Sequence, residues 1–130
     1  MKSRCLEPLE HDSQVAFFEW WDHFSLIVKV DARLMYAVPN AGAGASKGQA
    51  GKMKAEGVRP GIPDVNLDVP RNGFHGLRME FKRRNRKPEP HQLEVIDLLR
   101  GQGYDVQVVH GLDEAMRVVM GYLGYRRAVT

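Results

Sequence analysis

Apolar residues near the N-terminus repeat with the period of an α-helix. The ones that share a single helical face are Phe17, Trp20, Trp21, Phe24 and Val28. This spacing predicts a helix over residues 9–30. Residues 90–100 and 112–123 have the same period, and the first of these stretches opens on a proline and ends before Gly101, which indicates two further helices.

The period changes to two in the middle of the chain. Apolar and polar residues alternate in DVNLDV (64–69) and again in LRMEFK (77–82), which is typical of half-buried β-strands. Asn72 and Gly73 lie between the two runs, and this pair favours a tight turn. The pattern therefore predicts an antiparallel hairpin.

The remaining segments are short. Residues 36–46 are rich in glycine and alanine and predict a loop, and residues 46–56 predict a short basic helix. YDVQVV (104–109) predicts a strand that is buried on one face by Val106 and Val108.

These elements follow one another in the order α-α-β-β-α-β-α, which indicates a small α/β sandwich. The strand–helix–strand unit at 77–109 makes its two strands parallel, with a right-handed crossover. We therefore expect a short mixed β-sheet flanked by helices.

Composition is that of an ordinary globular chain. The 130 residues predict a single domain, 1–130, and 43% hydrophobic with 27% charged residues excludes a disordered tail or a collagen-like chain. Cys5 is the only cysteine, which favours a reducing compartment. No apolar run near the N-terminus, Leu26–Val28 included, is long enough for a membrane span or signal core.

A net charge of +3 and a pI near 9.2 are compatible with nucleic acid as a partner. Residues 78–91 hold six bases against two acids, and a second basic group lies between residues 47 and 59. Such a block is either a solvated face or a phosphate-binding surface. The candidate phosphate contacts are Lys47, Lys52, Lys54, Arg83, Arg84 and Arg86.

Two carboxylates and an ammonium group fall on the polar side of the predicted hairpin. Glu80 and Lys82 are two residues apart and share a strand face, and Asp64 begins the preceding strand. Paired carboxylates without nearby thiolates suit a hard cation such as Mg²⁺. The alternative is an ordinary surface Glu–Lys pair. Asn66 and Asp68 share the face of Asp64 and either approach the metal or face solvent.

The order of these residues resembles a known family. Pro63-Asp64 followed by Glu80-Phe81-Lys82 is similar to the PD-(D/E)xK nuclease motif. The wider resemblance, from about Glu10 to Leu123, is to its virus-type replication–repair nuclease (VRR-NUC) branch. The segments that carry it are Pro39-Asn40-Ala41-Gly42, Lys54-Ala55-Glu56-Gly57-Val58-Arg59-Pro60-Gly61, Gly61-Ile62-Pro63-Asp64, Met79-Glu80-Phe81-Lys82, Gln92 and Gly103-Tyr104-Asp105-Val106.

The resemblance implies a restriction-endonuclease-like sandwich with a metal site. Asp64 and Glu80 would be the metal ligands, joined by the backbone carbonyl of Phe81. Lys82 would be the active-site lysine, and Gln92 would face the site from the start of the next helix.

The family also places an acid on its first helix. The candidates are Glu7, Glu10, Asp12 and Glu19. Helical spacing puts Glu10 and Gln14 on the stripe of Phe17 and Trp21, so we expect Glu10 to join the site with Gln14 beside it. The alternative for Glu10 is an exposed first-turn acid that the helix dipole favours. Asn40 is a further residue expected to support the site.

The expected function is that of a Mg²⁺- or Mn²⁺-dependent nuclease that hydrolyses DNA phosphodiester bonds. Similarity to stand-alone, phage-type members implies a homodimer that cleaves branched DNA such as four-way junctions. The expected location is the cytoplasm of a bacterial or phage-infected host cell, without a membrane partner. Two alternatives stay open, a non-catalytic nucleic-acid-binding module and a structural subunit of a larger complex.

Overall fold

The computed structural model describes residues 10–39 and 46–126, with the side chain of Glu10 left out. The helices are α1 (Glu10–Val28), α2 (Lys47–Ala55), α3 (Pro90–Gly101) and α4 (Leu112–Tyr122), with a short 3-10 turn at Ala32–Leu34. The strands are β1 (Met35–Ala37), β2 (Val65–Leu67), β3 (Leu77–Phe81) and β4 (Asp105–Val109).

The four strands form one mixed sheet in the order β1-β2-β3-β4. β2 pairs antiparallel with both β1 and β3, whereas β3 and β4 are parallel. Asn72 and Gly73 have φ values of +55° and +84°, and Arg71 and Phe74 on either side exchange backbone hydrogen bonds of 3.2 and 2.8 Å. This is the primed turn that matches the twist of a hairpin, so the predicted hairpin is confirmed.

One face of the sheet carries the main core. Because strand side chains alternate, the odd-numbered residues of β1, β2 and β3 point together toward α1 and α4. The buried residues of this core include Phe17, Trp21, Leu67, Met79, Val109 and Val119. Trp21 also donates a hydrogen bond of 3.0 Å from its indole Nε1 to the Ala32 carbonyl, which ties α1 to the turn before β1.

The opposite face of the sheet is covered only in part. α3 packs beside β4 there, and Ile96 and Val106 are both buried, although neither belongs to the main core cluster. Leu93 and Leu98 of α3 remain 48% and 69% exposed. The polar side chains of β2 and β3 project toward this face, next to the helix.

The sheet contains a strand that the sequence pattern does not predict. Residues 36–46 were expected to be a loop, but Met35–Ala37 pairs with β2 and adds an edge strand between the first two helices. The element order is therefore α-β-α-β-β-α-β-α. Three residues are too few to display a period of two, and the strand is stabilised by its pairing with β2 rather than by local propensity.

Two strand predictions need correction. β2 covers only Val65–Leu67 rather than 64–69, because ladder pairing with β3 is limited to these three residues, although the Asp64 carbonyl and the Asp68 amide still make hydrogen bonds on the β1 side. β4 has a buried side chain on each face, Val106 on one and Val109 on the other, while Val108 is only half-buried. The reason is that helices cover both faces of β4, so a one-sided pattern does not apply.

In the described part of the chain, no helix combines the length and the apolar character needed to cross a membrane.

A buried phenol joins α4 to the end of the hairpin. The Tyr122 hydroxyl donates a hydrogen bond of 2.7 Å to the Val69 carbonyl, and burial raises the pKa of this phenol above its ordinary value of 10. We expect Tyr122→Phe to lower the free energy of unfolding by about 1–3 kcal/mol, because a buried carbonyl loses its donor. Urea denaturation measures this loss. Tyr125→Phe, which keeps the ring packed on Phe24, is the matched control, and an equal loss in both variants would contradict the assignment.

Candidate active site

The pairing register brings Asp64 and Glu80 together. Val65 pairs with Met79 in the β2–β3 ladder, so the next step outward sets Asp64 opposite Glu80. The Asp64 carbonyl accepts a hydrogen bond of 2.8 Å from the Val38 amide on the β1 side, which makes Asp64 and Glu80 a non-hydrogen-bonded pair across β2 and β3. Such pairs have Cα atoms about 4.5 Å apart, and their side chains lie close.

The carboxylate of Asp64 closes the end of the ladder. Its Oδ2 accepts a hydrogen bond of 2.8 Å from the backbone amide of Phe81. Pro63 lies outside β2, so the Asp64 side chain takes the place of a backbone partner for this amide. The Phe81 ring is 2% exposed and packs edge-on against Phe17, with centroids 5.5 Å apart. Since the amide and carbonyl of a strand residue point the same way, the Phe81 carbonyl also faces the Asp64 side.

Glu80 is a buried charge with two positive or polar partners. Its side chain is only 4% exposed. The Lys82 ammonium lies 3.6 Å from Glu80 Oε2, and Gln92 Nε2 donates a hydrogen bond of 2.7 Å to the same oxygen. Lys82 is held by its own backbone, whose amide donates to the Val109 carbonyl at 2.9 Å. Burying a carboxylate is costly unless it is paired in this way.

Gln92 has a fixed orientation because both ends of its amide are bound. Its Oε1 accepts a hydrogen bond of 2.7 Å from the Glu89 amide at the start of α3, as in a capping box. Nε2 is thereby directed at Glu80. α3 comes close enough because Gly61, at φ +83°, is buried against His91, and a Cβ there would lie 2.8 Å from the His91 carbonyl oxygen.

We call this group, which comprises Asp64, Glu80, Lys82, Gln92 and the backbone of Phe81, the site corner. It offers two carboxylates and a backbone carbonyl, all of them hard oxygen donors. Among the described residues, no three His, Cys, Asp or Glu side chains form a group able to hold a metal ion. The donor set nonetheless suits Mg²⁺, which commonly takes one or two carboxylates and keeps several waters.

Three predicted site residues are not brought to the site corner by the described structure. Glu10 is the first residue of α1, but its side chain lies outside the described residues, as does the whole of Asn40. Gln14 is half-buried and lines a groove on α1 together with His11, Val15, Phe18, Glu19 and Asp22. The choice of first-helix acid therefore stays a prediction.

A second polar cluster lies beside the site corner, on the same sheet face. Asp68 accepts hydrogen bonds from the Tyr36 hydroxyl at 2.7 Å and from Arg78 Nη1 at 3.0 Å. The Arg78 guanidinium stacks 4.4 Å from the Tyr104 ring centroid. Asn66 is half-buried between these residues. The sequence pattern did not single out Tyr36, because it belongs to the unpredicted strand; its place in the apolar run 34–38 was the available signal.

The six basic candidates are all exposed and belong to two segments, α2 and the turn after β3. Lys47 and Lys54 are seven residues apart on α2 and share a face, whereas Lys52 points about 140° away from Lys47. The three arginines belong to the segment after β3, in a turn closed by a 3.1 Å hydrogen bond from the Arg86 amide to the Arg83 carbonyl.

This arginine-bearing turn is anchored by a residue of a distant segment. Nε2 of His110 donates to the Arg86 carbonyl at 2.9 Å, while Glu114 Oε1 accepts from the His110 amide at 2.9 Å. The anchor follows β4, so sequence spacing gave no signal for it. It holds the turn next to Lys82 at the end of the sheet.

The hydrogen bond between Gln92 and Glu80 gives a test of how the site corner is held. Gln92→Ala removes a donor to a buried carboxylate, so we expect the free energy of unfolding to fall by about 1.5–3 kcal/mol. Gln102→Ala, at the exposed opposite end of α3, is the matched control and should change it by less than about 0.5 kcal/mol. Equal losses in denaturant melts of the two variants would show that the contact with Glu80 adds nothing.

Comparison with known proteins agrees with this arrangement. The family model for the VRR-NUC domain matches residues 10–113. A solved structure described as a VRR_NUC domain protein superposes with a TM-score of 0.72 at 27% sequence identity, and the match covers 90% of this chain and 89% of that one. A search of curated proteins finds no significant match.

The matched region contains every residue of the site corner, all four strands and the helices α1, α2 and α3. The fold is the small mixed-sheet sandwich that the VRR-NUC resemblance implies. The chain belongs to the VRR-NUC domain family.

Proposed function

We propose that this protein is a metal-dependent nuclease that hydrolyses DNA phosphodiester bonds. The observation that carries the proposal is the convergence of Asp64, Glu80 and Lys82 at one end of the β2–β3 hairpin, in a chain with a nuclease-type domain. A buried carboxylate that needs two partners costs stability. Such an arrangement is easier to understand as a binding site than as a device for folding.

Asp64, Glu80 and the Phe81 carbonyl would hold Mg²⁺ or Mn²⁺. A bound cation of this kind lowers the pKa of water and stabilises negative charge on phosphate oxygens. Glu80 is held in place by Gln92, and Asp64 by the Phe81 amide. These contacts pre-position both carboxylates, so little reorganisation is needed when a cation binds.

Lys82 would act on the phosphate rather than on the cation. Its side chain is 13% exposed and its ammonium lies 3.6 Å from Glu80 Oε2, so the ammonium can shift toward an incoming phosphodiester. A compact positive charge there stabilises the charge that develops on the phosphate oxygens during attack. The exposed arginines of the following turn would bind neighbouring phosphates, since each supplies charge without reading a base.

Branched DNA is the substrate that we propose, and a homodimer is the proposed active form. Both rest on the resemblance to stand-alone family members. A two-fold dimer would present two sites to the two strands of a four-way junction. The exposed Leu26 and Ile27 of α1, 77% and 60% accessible, offer apolar surface to a second copy. The proposed location is the cytoplasm of a bacterial or phage-infected cell.

The decisive experiment is cleavage of labelled linear, flap, splayed-arm and four-way DNA, with Mg²⁺, Mn²⁺ or EDTA. We expect metal-dependent cleavage that is strongest on the junction. Asp64→Asn and Glu80→Gln should abolish it while the circular dichroism spectrum stays unchanged, because each removes a charged ligand. Light scattering in the same buffer measures the molar mass of the protein and shows whether it is a dimer. Activity retained in both variants would contradict the proposed site, and DNA binding without any cleavage would favour the non-catalytic alternative.

A second prediction separates the role of Lys82 from that of the arginines in the turn. If Lys82 stabilises the transition state, Lys82→Ala should lower the single-turnover rate at least about 10²-fold and leave DNA affinity nearly unchanged. Arg84→Ala should instead weaken binding on every substrate and reduce the log–log salt slope by about 0.9. Lys82→Arg should not restore the rate, because a planar guanidinium differs in shape from an ammonium group.

The two variants are measured on the same junction, by filter binding and by quenched single-turnover cleavage. A loss of affinity in Lys82→Ala that matches its loss of rate would make this lysine a phosphate anchor. The catalytic role would then be wrong, while the metal site would be unaffected.

A further inference from the structure

Asn66 carries a buried acceptor that lacks a donor. Its Oδ1 is inaccessible to solvent and has no hydrogen-bond partner within the described residues. Buried polar atoms are nearly always satisfied, so an exception calls for a physical explanation. Asn66 also lies on the polar face of β2, one alternation away from Asp64.

The orientation of the Asn66 amide follows from its neighbours. The Tyr36 hydroxyl has one proton and donates it to Asp68 Oδ2 at 2.7 Å, since an ionised carboxylate only accepts. The hydroxyl oxygen must therefore accept from Asn66, whose Nδ2 lies 3.4 Å away. The hydrogen-bond network thus directs Nδ2 toward β1 and leaves Oδ1 on the other side of the amide.

The position of Asn66 places this acceptor beside the site corner. Asn66 pairs with Arg78, in the row next to the Asp64–Glu80 pair, so that Glu80 is its diagonal neighbour across the strands. Diagonal neighbours are within reach of longer side chains or of a bridging water.

Among the described residues, the neighbouring side chains do not supply the missing donor. Arg78 donates to Asp68 and Lys82 is directed at Glu80, while the Asp64 and Glu80 carboxylates are acceptors when ionised. A phosphodiester has no hydrogen-bond donor either, so the DNA backbone cannot satisfy Oδ1. A ligand that carries its own hydrogen-bond donor would satisfy Oδ1.

We propose that Asn66 is a positioning residue that accepts a hydrogen bond from the hydration shell of the divalent cation at the site corner. Water around a cation turns its oxygen inward and its hydrogens outward, so it presents donors to the surrounding protein. Mg²⁺ and Mn²⁺ bound by two carboxylates retain such water, and outer-shell partners of this kind tune metal affinity. The inference rests on the proposed metal-dependent function and adds a residue to it.

The test is a titration with Mn²⁺ alone, without DNA, by isothermal calorimetry and by electron paramagnetic resonance of the free ion. Asn66→Ala should weaken Mn²⁺ binding about 10-fold or more, the scale found for outer-shell contacts. The metal-free variant should melt at the same temperature as the wild type or higher, because an unsatisfied acceptor has been removed. Asn66→Asp should bind Mn²⁺ more tightly and melt lower without metal, because it adds a fourth carboxylate to that face.

Asn72→Gly is the matched control. It removes the 3.0 Å hydrogen bond from Asn72 to the Tyr122 carbonyl at a position whose positive φ suits glycine. This control should lose thermal stability and keep its Mn²⁺ affinity, the reverse of the pattern expected for Asn66→Ala.

Two negative results are distinguishable. If Asp64→Asn abolishes Mn²⁺ binding while Asn66→Ala binds as the wild type does, Asn66 is not a positioning residue and the proposed metal site stands. If the wild type does not bind Mn²⁺ at all, the metal-dependent function is wrong and the inference falls with it.

Discussion

The pairing register of β2 and β3 is the constraint on which the rest of this structure depends. It sets Val65 against Met79 and thereby Asp64 against Glu80. A shift by one residue would move every polar side chain of the hairpin into the core and every apolar one out of it. The buried odd-numbered residues of both strands require the observed register. The Asn72–Gly73 turn pairs Arg71 with Phe74, which is offset by one residue from the strand register, so the connection between turn and strands absorbs one extra residue.

β3 serves the core and the site at once. Phe81 lies beneath Phe17 in the main core, while the residues on either side of it, Glu80 and Lys82, face the opposite direction. Packing of the aromatic ring therefore fixes the backbone to which both charged groups belong. Burial of the Glu80 charge lowers the stability of the fold. The hydrogen bond from Gln92 and the ion pair with Lys82 offset this cost. A site held on a strand in this way is more rigid than one held on loops.

Residues far apart in the sequence complete the environment of the site corner. Gln92 begins a helix and also binds Glu80. His110 follows the last strand and holds the arginine-bearing turn through the Arg86 carbonyl. Tyr36 belongs to the edge strand and orients Asn66. Each of these side chains connects a different element to the polar face of the sheet, so the local geometry of the site depends on the whole fold.

The sequence by itself determined the hairpin, the parallel β3–β4 unit and the placement of Asp64, Glu80 and Lys82 near one end of the hairpin. A period of two and an Asn-Gly turn are local properties, and a helix between two strands of one sheet makes those strands parallel, so these features follow from the order of the elements. The tertiary structure alone decided the register that sets Asp64 opposite Glu80, the edge strand at Met35–Ala37, the two-sided burial of β4 and the position of Asn66 Oδ1, which has no partner among the described residues. Each of these depends on which distant element covers a given side chain, and neither periodicity nor residue type contains that information.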